Sequence, residues 1–295
     1  MVKILDKNNK EIGKLTEKME IQKKAAFESI SKKAILVDMS RKQIANLPFD
    51  VKLTNEVCKN HGIKNNSYIQ IRKCIFNPQY LTNIRSLVND ALLMVWNTTR
   101  PWDNVGFRLL SMEFYDDFNN TFNKIKDKFE EAKKEFISNF DNYVIEAKKD
   151  LGTAFNKADY PDKDKLDDLF ELKIVTSKFP DIEDIRLNLT NDELLEMQND
   201  IVDKYEESIN ISVDELFKLI ENTEEKDNVE KQLNIIKCLN IENNADLNMK
   251  ISTAEEKAVL KFGKFEKNEK KVNESMMIID DLDDFDDNSI DEFNV

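Results

Sequence analysis

The sequence predicts an α+β fold that is predominantly α-helical, with a small antiparallel sheet packed on one long aromatic-striped helix and a disordered acidic C-terminal tail. Three observations predict it. From Phe114 onward, Phe118, Phe122, Ile125, Phe129, Ala132, Phe136, Phe140, Tyr143, Ala147 and Leu151 follow at intervals of three and four, which draws one apolar stripe along an amphipathic helix. Charged residues make up 35% of the chain, with only five Gly and five Pro, a composition that favours helices over tight turns. Short runs rich in β-branched and aromatic residues supply a few strands. So aromatic a stripe would leave too large an apolar patch if it faced water, so the rest of the chain or another subunit must cover it.

The elements follow in order. Met19, Ile21, Ala25, Ala26, Phe27 and Ile30 lie among Lys and Glu over residues 16–33 and predict a short amphipathic helix. Residues 34–39, AILVDM, read as a strand. Residues 67–76, SYIQIRKCIF, read as a second, with Ile69, Ile71, Lys73 and Ile75 on one face and Tyr68, Gln70, Arg72, Cys74 and Phe76 on the other. Asn77-Pro78 opens a helix carrying Leu81, Ile84, Val88, Ala91, Leu92 and Val95 inward. Arg100-Pro101 breaks it, because proline disfavours a helical residue before it and lacks an amide donor. After a turn at residues 102–106, Phe107 to Leu110 form a short strand, and the long helix occupies 112–151 with Gly152 as its stop. A turn at 158–161, a short helix through Leu166 and Phe170, and a strand at 172–176 follow. The expected sheet thus combines strands near 34–40, 67–76 and 171–176.

The last third is punctuated by three capping-box patterns, Thr190 with Glu193, Ser212 with Glu215 and Thr253 with Glu256. Each precedes an apolar-periodic run, and a further helix through Val229, Leu233, Ile236 and Leu239 lies between them. From residue 280 there are eight acids and no base, a composition that cannot bury enough apolar surface to offset its ordering entropy. The expected organisation is a basic helical arm at 1–33, an α+β core at 34–189, a less tightly joined helical region at 190–264 and a disordered tail at 265–295.

Net charge is −14, unevenly spread: +9 over residues 1–100, −10 over 101–200 and −13 over the remainder. No apolar run exceeds 91–96, far short of a bilayer span, so no membrane association and a cytoplasmic location are expected. Cys58, Cys74 and Cys238 are odd in number and widely spread, which argues against a disulfide framework.

Catalytic signals are weak. Cys58 and His61 could form a nucleophile pair or half a metal site, but no second Cys or His pair exists, and Gly62 places His61 at a helix end. The five glycines are too far apart to cradle a phosphate, and the acids of 162–168 lack the glycine of an EF-hand loop. Neither an enzyme nor a cofactor is expected. Trp96, Trp102, Asp103 and Arg108 read as a buried corner, with the tryptophans between two helices and Asp103 capping a helix or pairing with Arg108.

The block from Trp96 and Thr98-Thr99 through Pro101-Trp102-Asp103, Gly106 and Arg108-Leu109-Leu110, continuing to Tyr115, Leu151-Gly152, Phe155 and Asp159-Tyr160-Pro161, resembles an uncharacterised family of bacterial and bacteriophage proteins. The resemblance covers roughly residues 34–189. It implies a bacterial or phage origin and a place in the bacterial host cytoplasm, and it transfers no catalytic residue. Some relatives resemble companions of MoxR-type ATPases, which implies an alternative role as a scaffold or adaptor docking on such an ATPase or another partner.

The charge polarity suggests the first functional reading, binding of single-stranded DNA. Arg41, Lys42, Tyr68, Arg72, Lys73, Phe76 and Arg85 are the candidate contacts, the cations neutralising phosphates and the rings stacking on bases. The acidic tail, with Leu282, Phe285, Ile290 and Phe293, resembles the C-terminal tails of single-stranded-DNA-binding proteins, which compete for the basic surface and recruit replication proteins.

Overall fold

A computed structural model describes residues 21, 23–64, 66–102, 106–179, 190–240 and 244–265. Helix α1 (residues 23–33) leads directly into strand β1 (Ala34–Lys42). Helices α2 (Val51–Asn60) and α3 (Gln79–Thr98) precede the short strands β2 (Arg100–Pro101) and β3 (Arg108–Ser111). The long helix α4 (Tyr115–Leu151) is followed by a run of 3₁₀ turns and strand β4 (Glu171–Ser177). Helices α5 (Asn191–Asn222), α6 (Lys226–Leu239) and α7 (Ala245–Phe262) complete the described chain.

The four strands form one antiparallel sheet in the order β2-β3-β1-β4. Successive β1 residues point to opposite faces. Val37 and Leu110 join α3, α4, Phe170 and Leu172 in one apolar core. Leu36 and Leu109, register partners across β1 and β3, join α1 and α5–α7 in a second. The sheet is therefore clothed on both faces, and this is why Ala34 to Val37 reads as an unbroken apolar run rather than an alternation. The helical region at 190–264 shares a core with the sheet, and α1 is fastened to it by the Lys23–Asp203 ion pair at 2.8 Å.

The aromatic stripe of α4 is the spine of the first core. Phe118, Phe122, Phe129, Ala132, Phe136, Phe140 and Ala147 are buried, and Gly152, at φ 51°, ends the helix. Lys133 also reaches inward, bound to Glu130 at 2.8 Å and to Asp167 at 3.1 Å.

Residues 67–76 do not enter the sheet; β2 and β3 occupy that place. Asn66–Tyr68 form a 3₁₀ turn, and residues 71–75 run beside residues 46–50, with Ile75 N donating to Asn46 O (3.1 Å), Lys73 N to Pro48 O (3.2 Å) and Asp50 N to Ile71 O (2.8 Å). Pro48 has no amide to return, so the pairing registers as a single bridge, Phe49 to Arg72, rather than a ladder. Leu166 and Phe170 sit on 3₁₀ turns rather than a short helix.

Only one of the three capping boxes forms. Thr190 Oγ1 accepts from Glu193 N (3.3 Å) while Thr190 N donates to Glu193 Oε2 (2.8 Å). Ser212 lies inside α5, because the buried stripe Tyr205, Ile209, Val213, Leu216 and Ile220 runs straight through it; its hydroxyl donates back to Ser208 O at 2.9 Å. Thr253 lies inside α7, bonded back to Met249 O (2.8 Å), and Asn244 caps that helix by accepting from Leu247 N (2.9 Å). Thr190→Ala should cost about 1 kcal/mol of stability, read as a lower urea midpoint at unchanged slope, whereas Ser212→Ala should leave the α5 boundary where it is.

Candidate nucleic-acid interface

Residues 43–76 form a lobe beside the N-terminal end of α3, fixed from within. Asp50 caps α2 by accepting from Leu53 N at 2.9 Å. Its second oxygen meets Lys73 Nζ at 2.7 Å, and the same ammonium reaches Asp159 at 2.8 Å and Ala154 O at 2.7 Å. Thr54 Oγ1 donates to Asp50 O (2.8 Å) and accepts from Ile71 N (3.0 Å). The Leu53 amide, followed by Lys73, holds the Asp50 carboxyl below its usual range. Bonds to Asp159 and Asp50 outweigh burial and raise the Lys73 ammonium.

The outer face of this lobe is different. Tyr68 is 84% exposed and Phe49 45% exposed, with Arg72 opposite Phe49 across the bridge and Val51 exposed beside it. Lys52, Lys59 and Lys64 are exposed in the same stretch, where Glu56 is the one exposed acid among the described residues. Exposed rings amid unburied cations are the physical ingredients of a stacking, phosphate-neutralising surface.

The predicted contacts divide. Tyr68 and Arg72 point outward as expected. Phe76 does not: it is 1% exposed, edge-on to Phe136 at 5.4 Å and to Tyr160 at 5.3 Å. The Asn46 side chain draws it in, accepting from Phe76 N (2.8 Å) and donating to Phe76 O (3.2 Å). Lys73 is committed to its two carboxylates. Arg41 and Lys42 stand opposite Leu172 and Glu171 at the end of β1, and Arg85 is half-buried on α3. Leu282, Phe285, Ile290 and Phe293 lie outside the described residues. The sequence reading missed Phe49 and Val51; an apolar pair flanking the capping Asp50 was the available signal.

The corner after α3 also departs from expectation. Trp96 is 55% exposed rather than buried, because it falls off the buried α3 stripe of Ala91, Met94, Val95 and Thr98. The Arg108 guanidinium lies 5.5 Å over its ring centroid, while Arg108 Nε donates to Thr99 Oγ1 at 2.6 Å. Trp102 is half-buried, edge-on to Phe179 at 5.3 Å with Lys204 4.7 Å above it. Asp103, the expected cap or partner of Arg108, lies outside the described residues. Arg100 is buried, donating to Thr99 O (2.6 Å), to Gln232 O (3.3 Å) and to Gln232 Oε1.

Cys58 is buried and His61 exposed at the end of α2, so the two do not make a site. Among the described residues no three His, Cys, Asp or Glu side chains converge as metal ligands, and no helix is long and apolar enough to cross a membrane. An open groove of about 870 Å³ beside the end of α4 mixes Asp141 and Asp162 with Lys157, Lys163 and Lys165, and Lys163 and Lys165 are already paired with those two acids. Compared with family models, curated proteins and solved structures, the chain matches none.

Proposed function

We propose that this chain is a non-enzymatic nucleic-acid-binding protein that takes a single strand on the outer face of the lobe 43–76, with its acidic C-terminal segment competing for the same surface. The observation that carries the reading is the 84% exposure of Tyr68, in the same stretch of chain as the exposed Phe49 and Arg72, which face each other, and several exposed lysines. An exposed tyrosine can stack on any base, which makes binding tolerant of sequence. The cations displace counterions from the phosphates, which makes it steeply salt-dependent.

Fluorescence anisotropy with an oligo-dT strand tests it. Affinity should fall strongly between about 50 and 200 mM salt. Tyr68→Ala should weaken binding roughly tenfold, and Arg72→Gln should reduce the salt slope by about one. Removing residues 279–295 should tighten binding at every salt concentration. Absence of binding at low salt by both the full-length and the shortened chain would reject the reading.

A further inference from the structure

The groove beside the end of α4 combines an apolar floor with a mostly basic rim. Phe140, Val144 and Ile145 of α4 line it together with Tyr160, Pro161 and Leu169 of the segment before β4, and Ile145 is 56% exposed there. Lys157, Lys163 and Lys165 are exposed along it, and helical phase puts the exposed Lys148 on the face of Val144 and Ile145, one turn on. Asp141 holds Lys163 at 2.5 Å and Asp162 holds Lys165 at 3.0 Å, but both pairs face solvent, where such pairs are weak and readily exchanged. Lys148 and Lys157 have no ion pair among the described residues.

An occupant suited to this groove brings apolar side chains flanked by acids. The C-terminal segment carries that pattern: Asp280-Asp281, Leu282, Asp283-Asp284, Phe285, Asp286-Asp287, with no base from there to residue 295. Reach is no obstacle. Residues 266–295, fully extended, span roughly 100 Å, whereas α4 with its 37 residues is about 55 Å long. Acids alone would be held no better than any surface charge, but Leu282 and Phe285 gain from being covered, and a concave apolar floor covers them on several sides.

We propose that the acidic segment docks in this groove of its own chain, with Leu282 and Phe285 on the apolar floor and the flanking aspartates against Lys148, Lys157, Lys163 and Lys165. The groove adjoins the lobe through Tyr160, which lines it, donates to Ile75 O at 2.6 Å and lies edge-on to Phe76 at 5.3 Å. A docked segment is thereby held at the margin of the lobe. Docking is a property of the chain alone, while its control over a bound strand rests on the nucleic-acid reading.

Zero-length cross-linking of carboxylates to lysines in the full chain, with trypsin and mass spectrometry to locate the joins, tests it. Trypsin frees residues 272–295 as one peptide, since Lys271 is the last base. In the monomer this peptide should be joined to Lys148, Lys157, Lys163 or Lys165 in higher yield than to Lys52, Lys59 or Lys64 of the lobe. The joins should persist in about 0.5 M sodium chloride, which screens charges beyond roughly 4 Å. Leu282→Ser with Phe285→Ser, which keeps every acid, should lower the groove yield roughly tenfold, and Ile145→Asp should do the same from the other side. Equal yields at the lobe lysines, joins confined to a dimer, or a double serine variant that conjugates like the wild type would each overturn the docking. Ile145→Asp should also tighten oligo-dT binding as removal of residues 279–295 does, with no further gain from the two together. Oligo-dT binding without groove joins would reject the docking and spare the lobe reading. Groove joins without oligo-dT binding by any form would reject the lobe reading and uphold the docking.

Discussion

Phe136→Ala should lower the free energy of unfolding by about 4 kcal/mol, within the range for deleting a buried ring whose surroundings relax only in part. Phe136 is 2% exposed and touches four other rings: Phe76 at 5.4 Å, Tyr143 and Phe170 at 5.5 Å and Phe140 at 6.4 Å. Those partners come from the lobe, from α4 itself and from the approach to β4. Truncation therefore loosens three segments together rather than emptying one pocket. Urea unfolding should show a lower midpoint with an unchanged slope. Phe136→Leu should recover a large part of the loss by refilling the volume. A loss below about 1 kcal/mol for the alanine variant would mean that the aromatic hub does not hold these segments together.

Lys73→Met should cost about 3 kcal/mol, the lower end of the range for breaking a buried ion pair, because it strands Asp50 and Asp159 without their shared cation. Lys73 and Asp50 side chains are only 10% and 8% exposed. Acidity should reproduce the effect from the other side. The Asp50 carboxyl is held below its usual value by the Leu53 amide and then by Lys73, so its contribution is complete above the ordinary carboxylate range and is lost as pH falls through its depressed folded value. Lys73 is raised, so its contribution is complete below the ordinary lysine range and is lost as pH rises through its folded value. The wild-type protein should therefore lose stability at both extremes, and the Lys73→Met variant should show a flatter profile across them. Stability measured from pH 3 to pH 11 on both proteins decides it. Parallel curves would show that the triad contributes nothing specific.

The parts of this fold that could be read from the sequence are those in which the local pattern and the tertiary partner agree. The stripe of α4, the strands at β1, β3 and β4, and the Thr190 cap are of this kind. Where the pattern was right but the partner was not, the reading failed. Residues 67–76 alternate as a strand should, yet they begin in a 3₁₀ turn, and from Ile71 to Ile75 they bond to residues 46–50, whose proline prevents a ladder. Ser212 and Thr253 carry capping signatures, but apolar residues on both sides of each bury against the neighbouring helices and carry the helix through. At the candidate surface, Tyr68 and Arg72 are exposed, Tyr68 from a 3₁₀ turn rather than a strand, whereas Phe76 was turned inward by Asn46, a residue 30 positions away. Trp96 was misjudged because tryptophan is usually buried, while its helical phase places it off the inner stripe.

The two-sided clothing of the sheet has a consequence for how the chain acquires its structure. The α3–α4 side of β1 is completed by segments up to about residue 177, all of which are synthesised before α5, α6 and α7. The opposite side, Leu36 and Leu109 together with Ala26, Phe27 and Ile30 of α1, must wait for α5, α6 and α7. A nascent chain released at that stage would hold a finished half and a bare one, with α1 unmatched until α5, α6 and α7 are synthesised. Contacts of such long sequence separation slow the final step and leave an apolar sheet face open in the interval. Variants that weaken α7 should accordingly show their defect first as aggregation during synthesis, before any measurable change in the stability of molecules that reach the native state.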